Sequence, residues 1–228
     1  MVSVLNDPKL ERLLARLHRQ SDAQVKPTEK YFATFARKTK PADRPAAARK
    51  FLSDKLVALE PDKAQFCYQL CRALNARRIV EAGTSYGVST IYLAAAARDN
   101  VRERGGDAIV IGAEYEPVKA KAARANFAKA GLSKFIDLRE GDLRETLADL
   151  GAPVDFVLMD IWVEMARPAL ELVAPHLHPG SVVVADNTAA PTWNDGYKDY
   201  FRFIADPTNR LRTMTLPFSG GFELTVRV

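Results

Sequence analysis

Residues 79–93, Ile-Val-Glu-Ala-Gly-Thr-Ser-Tyr-Gly-Val-Ser-Thr-Ile-Tyr-Leu, constrain this chain more than any other stretch. An apolar, β-branched run breaks at Gly83 and restarts at once with helical character, which predicts a buried strand, a sharp turn and a helix N-terminus. Gly87 and Ser89 fall where the first helical N–H groups point outward without partners, so a negatively charged group of a ligand belongs there. A second apolar run, Ala-Ile-Val-Ile-Gly-Ala-Glu at 108–114, ends in Glu114, an acid suited to accept hydrogen bonds from a ribose diol. Together the two units predict an α/β fold that binds a nucleoside.

The glycine spacing narrows the kind of nucleoside. A dinucleotide site needs G-x-G-x-x-G, whose second glycine makes room for a pyrophosphate; here Gly83 and Gly87 are four apart and Ser85 stands between them. E-x-G-x-x-x-G-x-S followed by a strand ending in an acid resembles instead the pattern of class I S-adenosylmethionine methyltransferases. Further along come Ala-Gly-Leu at 130–132, Glu-Gly-Asp-Leu at 140–143, Met-Asp-Ile-Trp at 159–162, Pro-Gly at 179–180 and Val-Val-Val-Ala-Asp-Asn at 182–187. In that order and spacing they resemble the catechol and caffeoyl-CoA O-methyltransferase group, O-methyltransferase family 3, over roughly residues 57–228.

The texture of the chain agrees with one α/β domain spanning residues 1–228. Residues 1–76 read as an N-terminal helical region, interrupted at Pro27, Pro41, Pro45 and Pro61, with a helix over 62–75. Residues 77–228 alternate short β-branched runs, near 78–83, 108–113, 135–139, 154–160 and 181–186, with longer amphipathic stretches, the pattern of a parallel sheet covered on both faces. Runs at 211–216 and 222–228, separated by Pro217, Ser219, Gly220 and Gly221, predict a closing hairpin and an antiparallel edge strand. The expected architecture is a Rossmann-like class I methyltransferase fold: a seven-stranded, mostly parallel sheet with an antiparallel last strand, preceded by N-terminal helices.

Ligands of open α/β sheets bind at the carboxyl ends of the strands. Glu81 and Gly83, Glu114, Asp142, Asp160, and Asp186 with Asn187 fall at five such ends. By resemblance, the methionine end of S-adenosylmethionine should lie against Glu81, Gly83, Ser85 and Ser89, and Glu114 should hold the ribose hydroxyls. The adenine should rest near Tyr115 and the turn formed by Gly141, Asp142 and Leu143. Leu59 corresponds to a backbone contact, and Trp162 is placed near substrate and sulfonium. An Asp after a strand is also a common helix cap, and Trp162 can equally be core filling.

The resemblance also implies a divalent ion, magnesium, manganese or calcium, held by Asp160, Asp186 and Asn187. Oxygen ligands with open positions would suit such an ion and an acceptor carrying adjacent hydroxyls. None of His18, His176 and His178 has metal-site spacing with these residues, which argues against zinc. One departure stands out: the family has a lysine three residues after the strand-four Asp, acting as general base, where this chain has Val163 followed by Glu164. Asp160 and Glu164 are therefore the catalytic candidates, with a residue arriving from elsewhere as the alternative. The segment 188–198, with Pro191, Trp193, Asn194, Gly196 and Tyr197, is expected over the fifth strand end, where the acceptor is chosen.

The formal charge of +5 hides an asymmetry: residues 1–77 carry +8 and residues 78–228 carry −3. A basic segment can steer an anionic substrate or a nucleic acid, or it can be the solvated side of amphipathic helices, since Leu10, Leu13, Leu14 and Leu17 recur at helical spacing. That stripe can dock on its own domain, cover the acceptor pocket or make a dimer, and the resemblance implies a homodimer. Cys67 and Cys71, four apart on a helix, read as core residues in a reducing compartment. With no apolar run of about 20 residues and no signal-peptide pattern, a cytoplasmic protein is expected. The favoured function is methyl transfer to a hydroxyl of a small, catechol-like aromatic acceptor. The alternatives are a methyltransferase for RNA or a nitrogen acceptor, and a non-catalytic S-adenosylmethionine-binding protein.

Overall fold

Strand β1 (Arg78–Ala82) is the hub of the sheet, because its successive residues Ile79 and Val80 bury completely on opposite faces. In the computed structural model, which describes residues 4–40, 43–189 and 194–228, β1 pairs in parallel with β2 (Ile109–Glu114) on one side and β4 (Val154–Met159) on the other. β3 (Ile136–Glu140) lies outside β2, and β5 (Leu177–Asp186) continues beyond β4. The order is β3-β2-β1-β4-β5-β7-β6, where β6 is Leu211–Leu216 and β7 is Phe222–Arg227. The chain reverses its winding direction at β1, which opens a crevice between the β1 and β4 ends.

Two expectations need correction. The last strand is antiparallel as predicted but does not lie at the edge: β7 sits between β5 and β6, antiparallel to both. Burial decides this, since β7 is largely buried while four consecutive residues of β6 are exposed. Pro27 does not interrupt the N-terminal region; it lies inside α1 (Pro8–Lys38), 31 residues long. Pro27 is on the exposed side of that helix, where water can satisfy the carbonyl left without its N–H partner. Pro61 does mark a boundary, at the head of α3 (Pro61–Ala73), and Pro45 sits in the first turn of α2 (Arg44–Leu52).

One face of the sheet is covered by α1, α3, α4 (Val88–Arg104) and α5 (Pro117–Ala130), around Ile79, Val110, Phe156 and Val184. The other carries α6 (Leu143–Thr146), α7 (Val163–Val173) and α8 (Lys198–Ala205), around Val80, Ile111, Val157 and Val183. Leu10, Leu13, Leu14 and Leu17 all bury in the first cluster, so the leucine stripe docks on its own domain. Asp7 caps α1, accepting from the N–H groups of Lys9 and Leu10 at 3.2 Å, and also pairs with Arg98 of α4 at 2.7 Å. No helix among the described residues is long and apolar enough to cross a membrane.

Candidate active site

The glycine turn forms as its sequence requires. Gly83 has φ +95°, and a Cβ there would stand 2.0 Å from the backbone oxygen of Asp160, so only glycine lets the β1 end lie against the β4 end. Gly87, at φ +80°, caps α4, and a Cβ there would come within 2.3 Å of the Phe127 ring on α5. Gly87 therefore serves helix packing more than ligand approach. Ser85 between them also has positive φ, +50°, and its N–H donates to Glu114 Oε2 at 2.6 Å. The other oxygen of Glu114 accepts from the N–H of Glu116 at 2.7 Å. The acid at the end of β2 is thus fixed at the lip of the first turn.

A cleft opens at these strand ends, lined by Leu56–Leu59, Gly83–Tyr86, Val88, Ser89 and Asp160. Its outer wall, residues 56–59, is fastened by α1: the Leu56 N–H donates to Gln24 Oε1 at 3.2 Å and the Ala58 N–H to Ser21 Oγ at 3.0 Å. Leu59, Gly83, Ser85, Ser89 and Asp160 of the expected set meet in this cleft. Glu81 lies behind them, fully buried, where Thr84 Oγ1 donates to it at 3.0 Å and Thr90 adds a second bond. Its Oε1 is buried with no hydrogen-bond partner, and burial raises its pKa against the hydrogen bonds of Thr90 and Thr84.

Other expected residues stand apart. Tyr115 is 71% exposed beyond Glu114. Gly141 turns with φ +129°, Asp142 caps α6, and Leu143 is buried in the core under α6. Arg144 takes up the Asp142 carboxylate and lowers its pKa to about 2. Trp162 is half-buried at the N-cap of α7. Glu164 is exposed and paired with Arg49 of α2. Val163, in the family's lysine position, packs against Gly196, where a Cβ would come within 2.7 Å of the valine methyls. Pro191 and Trp193 lie outside the described residues; Tyr197 is buried and its hydroxyl donates to the backbone oxygen of Asp186 at 2.8 Å.

The expected metal ligands meet a group the sequence did not single out. Lys63, on α3, is completely buried, with its Nζ 2.5 Å from Asp186 Oδ1 and 2.9 Å from Glu60 Oε2. Burial alone would lower its pKa, but Asp186 and Glu60 outweigh it and hold the ammonium charged. Burial pushes the Asp186 carboxyl up to about 6 against the pull of Lys63. Asp160 is raised well above the usual range by burial, then by Asp186 and Glu81. Asp186 Oδ2 accepts from Asn187 Nδ2 at 2.8 Å. Among the described residues no three His, Cys, Asp or Glu side chains gather as a metal would need; the expected set contains only two such residues, Asp160 and Asp186. One signal for Lys63 was readable: it heads the stripe Lys63, Cys67 and Cys71, at i, i+4 and i+8 on an otherwise buried helix face.

Residues 80–188 match a family described as a methyltransferase domain. A catechol O-methyltransferase of Mycobacterium tuberculosis is 33% identical over 132 residues, covering 58% of this chain and 57% of that protein. Another, from Niastella koreensis, is 32% identical over 139 residues, covering 58% of each. The chain thus spans just under three fifths of the length of these curated relatives. The O-methyltransferase from Bacillus cereus, solved in complex with SAH, superposes with a TM-score of 0.65 at 21% identity, over 93% of this chain and all of that one, and supports the fold.

Proposed function

We propose that this chain, whose residues 80–188 match a methyltransferase domain family, is a class I, S-adenosylmethionine-dependent O-methyltransferase for a small hydroxylated, aromatic acceptor. The observation that carries the reading is the bond from the Ser85 N–H to Glu114, which fixes a carboxylate beside the glycine turn that lines the cleft with Asp160. The names of the two curated relatives support the choice of oxygen acceptor.

The residues fit the cofactor. Glu81 Oε1 is a buried acceptor without a donor, as a ligand's ammonium would require. Glu81, Gly83, Ser85 and Ser89 would hold the methionine end, Glu114 the ribose, and Leu59 the outer side, with Tyr115 and the 141–143 turn toward the base. S-adenosylmethionine, when bound, supplies a methyl group on a positively charged sulfur. The protein's part is to orient that sulfur toward the acceptor oxygen and to keep water out of the cleft. Asp160, which lines the cleft, is the acid–base candidate of this reading, while Glu164 is engaged by Arg49 outside it.

Calorimetric titration of S-adenosylhomocysteine into the wild type and Glu114→Ala tests the cofactor assignment. Glu114→Ala removes the carboxylate that would accept from the ribose hydroxyls, charge-assisted bonds of about 1.5–3 kcal/mol, so affinity should fall roughly 10- to 100-fold. Label transfer from methyl-labelled cofactor to a panel of phenols and catechols should follow binding. No binding by the folded wild type, or label entering RNA instead of phenols, would overturn the reading.

A further inference from the structure

Of the three side chains that the family resemblance offers to a divalent ion, Asp186 has both carboxylate oxygens committed and Asn187 has its amide oxygen turned away. Asp186 Oδ1 is 2.5 Å from Lys63 Nζ, and Oδ2 accepts from Asn187 Nδ2. Because a carboxylate only accepts, the amide nitrogen of Asn187 must face it, which turns the amide oxygen away. That oxygen lies against Gly220, where a Cβ would come within 2.7 Å of it. Magnesium or manganese needs oxygen contacts at about 2.1 Å, and the space beside Asp186 Oδ1 is filled by the ammonium. Glu60 is a second acid partner, and the Phe222 ring, 5.8 Å away, borders the same charge. The residues as arranged do not fit a divalent ion.

We propose that the Lys63 ammonium is the resident cation of this cluster and takes the place on Asp186 that the family resemblance gives to a metal. The inference rests on the reading of the cleft as a methyltransferase site and deepens it. A lysine absent from the start of α7, where Val163 stands, is supplied to the strand-four and strand-five ends by α3, 123 residues before Asp186 in sequence. Lys63 is a positioning residue: it holds Asp186 and neutralises its charge beside Asp160. The acceptor class shifts accordingly, because chelating two adjacent hydroxyls needs open metal positions and an ammonium offers none. A single hydroxyl is then as good an acceptor group as a vicinal pair.

The test is calorimetric titration of manganese into S-adenosylhomocysteine-saturated wild type, Lys63→Met and Asp186→Asn. The wild type should take up no manganese into the millimolar range. Lys63→Met, which frees Asp186 Oδ1, should gain a site at least about tenfold tighter than anything in the wild type. One manganese bound by the wild type at micromolar concentration and lost in Asp186→Asn would overturn the proposal, as would a folded Lys63→Met that gains nothing. If Lys63→Met does not fold, Lys63→Gln takes its place, and the wild-type and Asp186→Asn titrations still decide. S-adenosylhomocysteine uptake, measured before metal is added, tests the methyltransferase reading separately.

Discussion

Replacing Lys63 with Met keeps a long apolar stem and removes the charge opposite Asp186. The two side chains are 1% and 4% exposed, so water screens the pair little. At 2.5 Å and an effective dielectric constant of about 20, the gross attraction is roughly 7 kcal/mol. Most of it offsets the desolvation of the two ions, and the measurable loss is the cost of leaving one buried charge without its partner, about 3–5 kcal/mol. At this chain length that corresponds to a fall in Tm of roughly 6–20 °C. Asp186→Asn in the Lys63→Met background removes the orphaned charge, so the double variant should be more stable than Lys63→Met alone. Urea unfolding of the four proteins at pH 7 forms a double-mutant cycle, with an expected coupling of about 2–3 kcal/mol. Additive losses, or a Lys63→Met loss below about 1 kcal/mol, would refute the buried pair and the argument built on it.

Gly87→Ala should cost about 2–4 kcal/mol, from the strain of φ +80° and the 2.3 Å approach to Phe127; an unchanged urea midpoint would contradict this packing. The pKa of His178 is raised by its hydrogen bond to Asp155, so the pair's contribution is full below the unfolded pKa of about 6.5 and fades as pH rises through the higher folded value. The pair is partly exposed and its worth is at most about 1 kcal/mol; urea midpoints of the wild type and His178→Ala should converge at pH 8.5 and differ at pH 5.5. Burial raises both thiols of Cys67 and Cys71, so a thiol reagent at pH 8 should modify them only upon unfolding.

The parts of the fold that follow from local pattern were legible. Seven β-branched runs became seven strands, and the turn from Gly83 to Ser89 became the lip of the cleft, because strand, glycine and helix start are specified within about a dozen residues. The fifth strand begins at Leu177 rather than near 181, since His178, Pro179 and Gly180 join it where the register with β4 shifts. The position of β7 inside β6 was readable in principle: Phe222, Leu224 and Val226 suit a central strand better than Arg212, Thr213 and Thr215. The Lys63 contact with Asp186 was not, because it is decided by how α3 docks and no local rule spans that separation. Asp142, by contrast, shows the cap role that its position after a strand allowed from the start.

The long first helix has a consequence for the order of events during synthesis. Its leucine face is buried in the cluster it shares with α4 and α5, and its residues Ser21 and Gln24 hold the 56–59 wall of the cleft. At about 5–20 residues per second, roughly 6–23 seconds separate the emergence of Leu17 from that of the end of α5. In that interval the leucine face lacks the helices that bury it, and the wall it carries has no strand ends to face. Assembly of the cleft is therefore a late, long-range step: a helix made before the sheet finds its place only after α4 and α5 have followed.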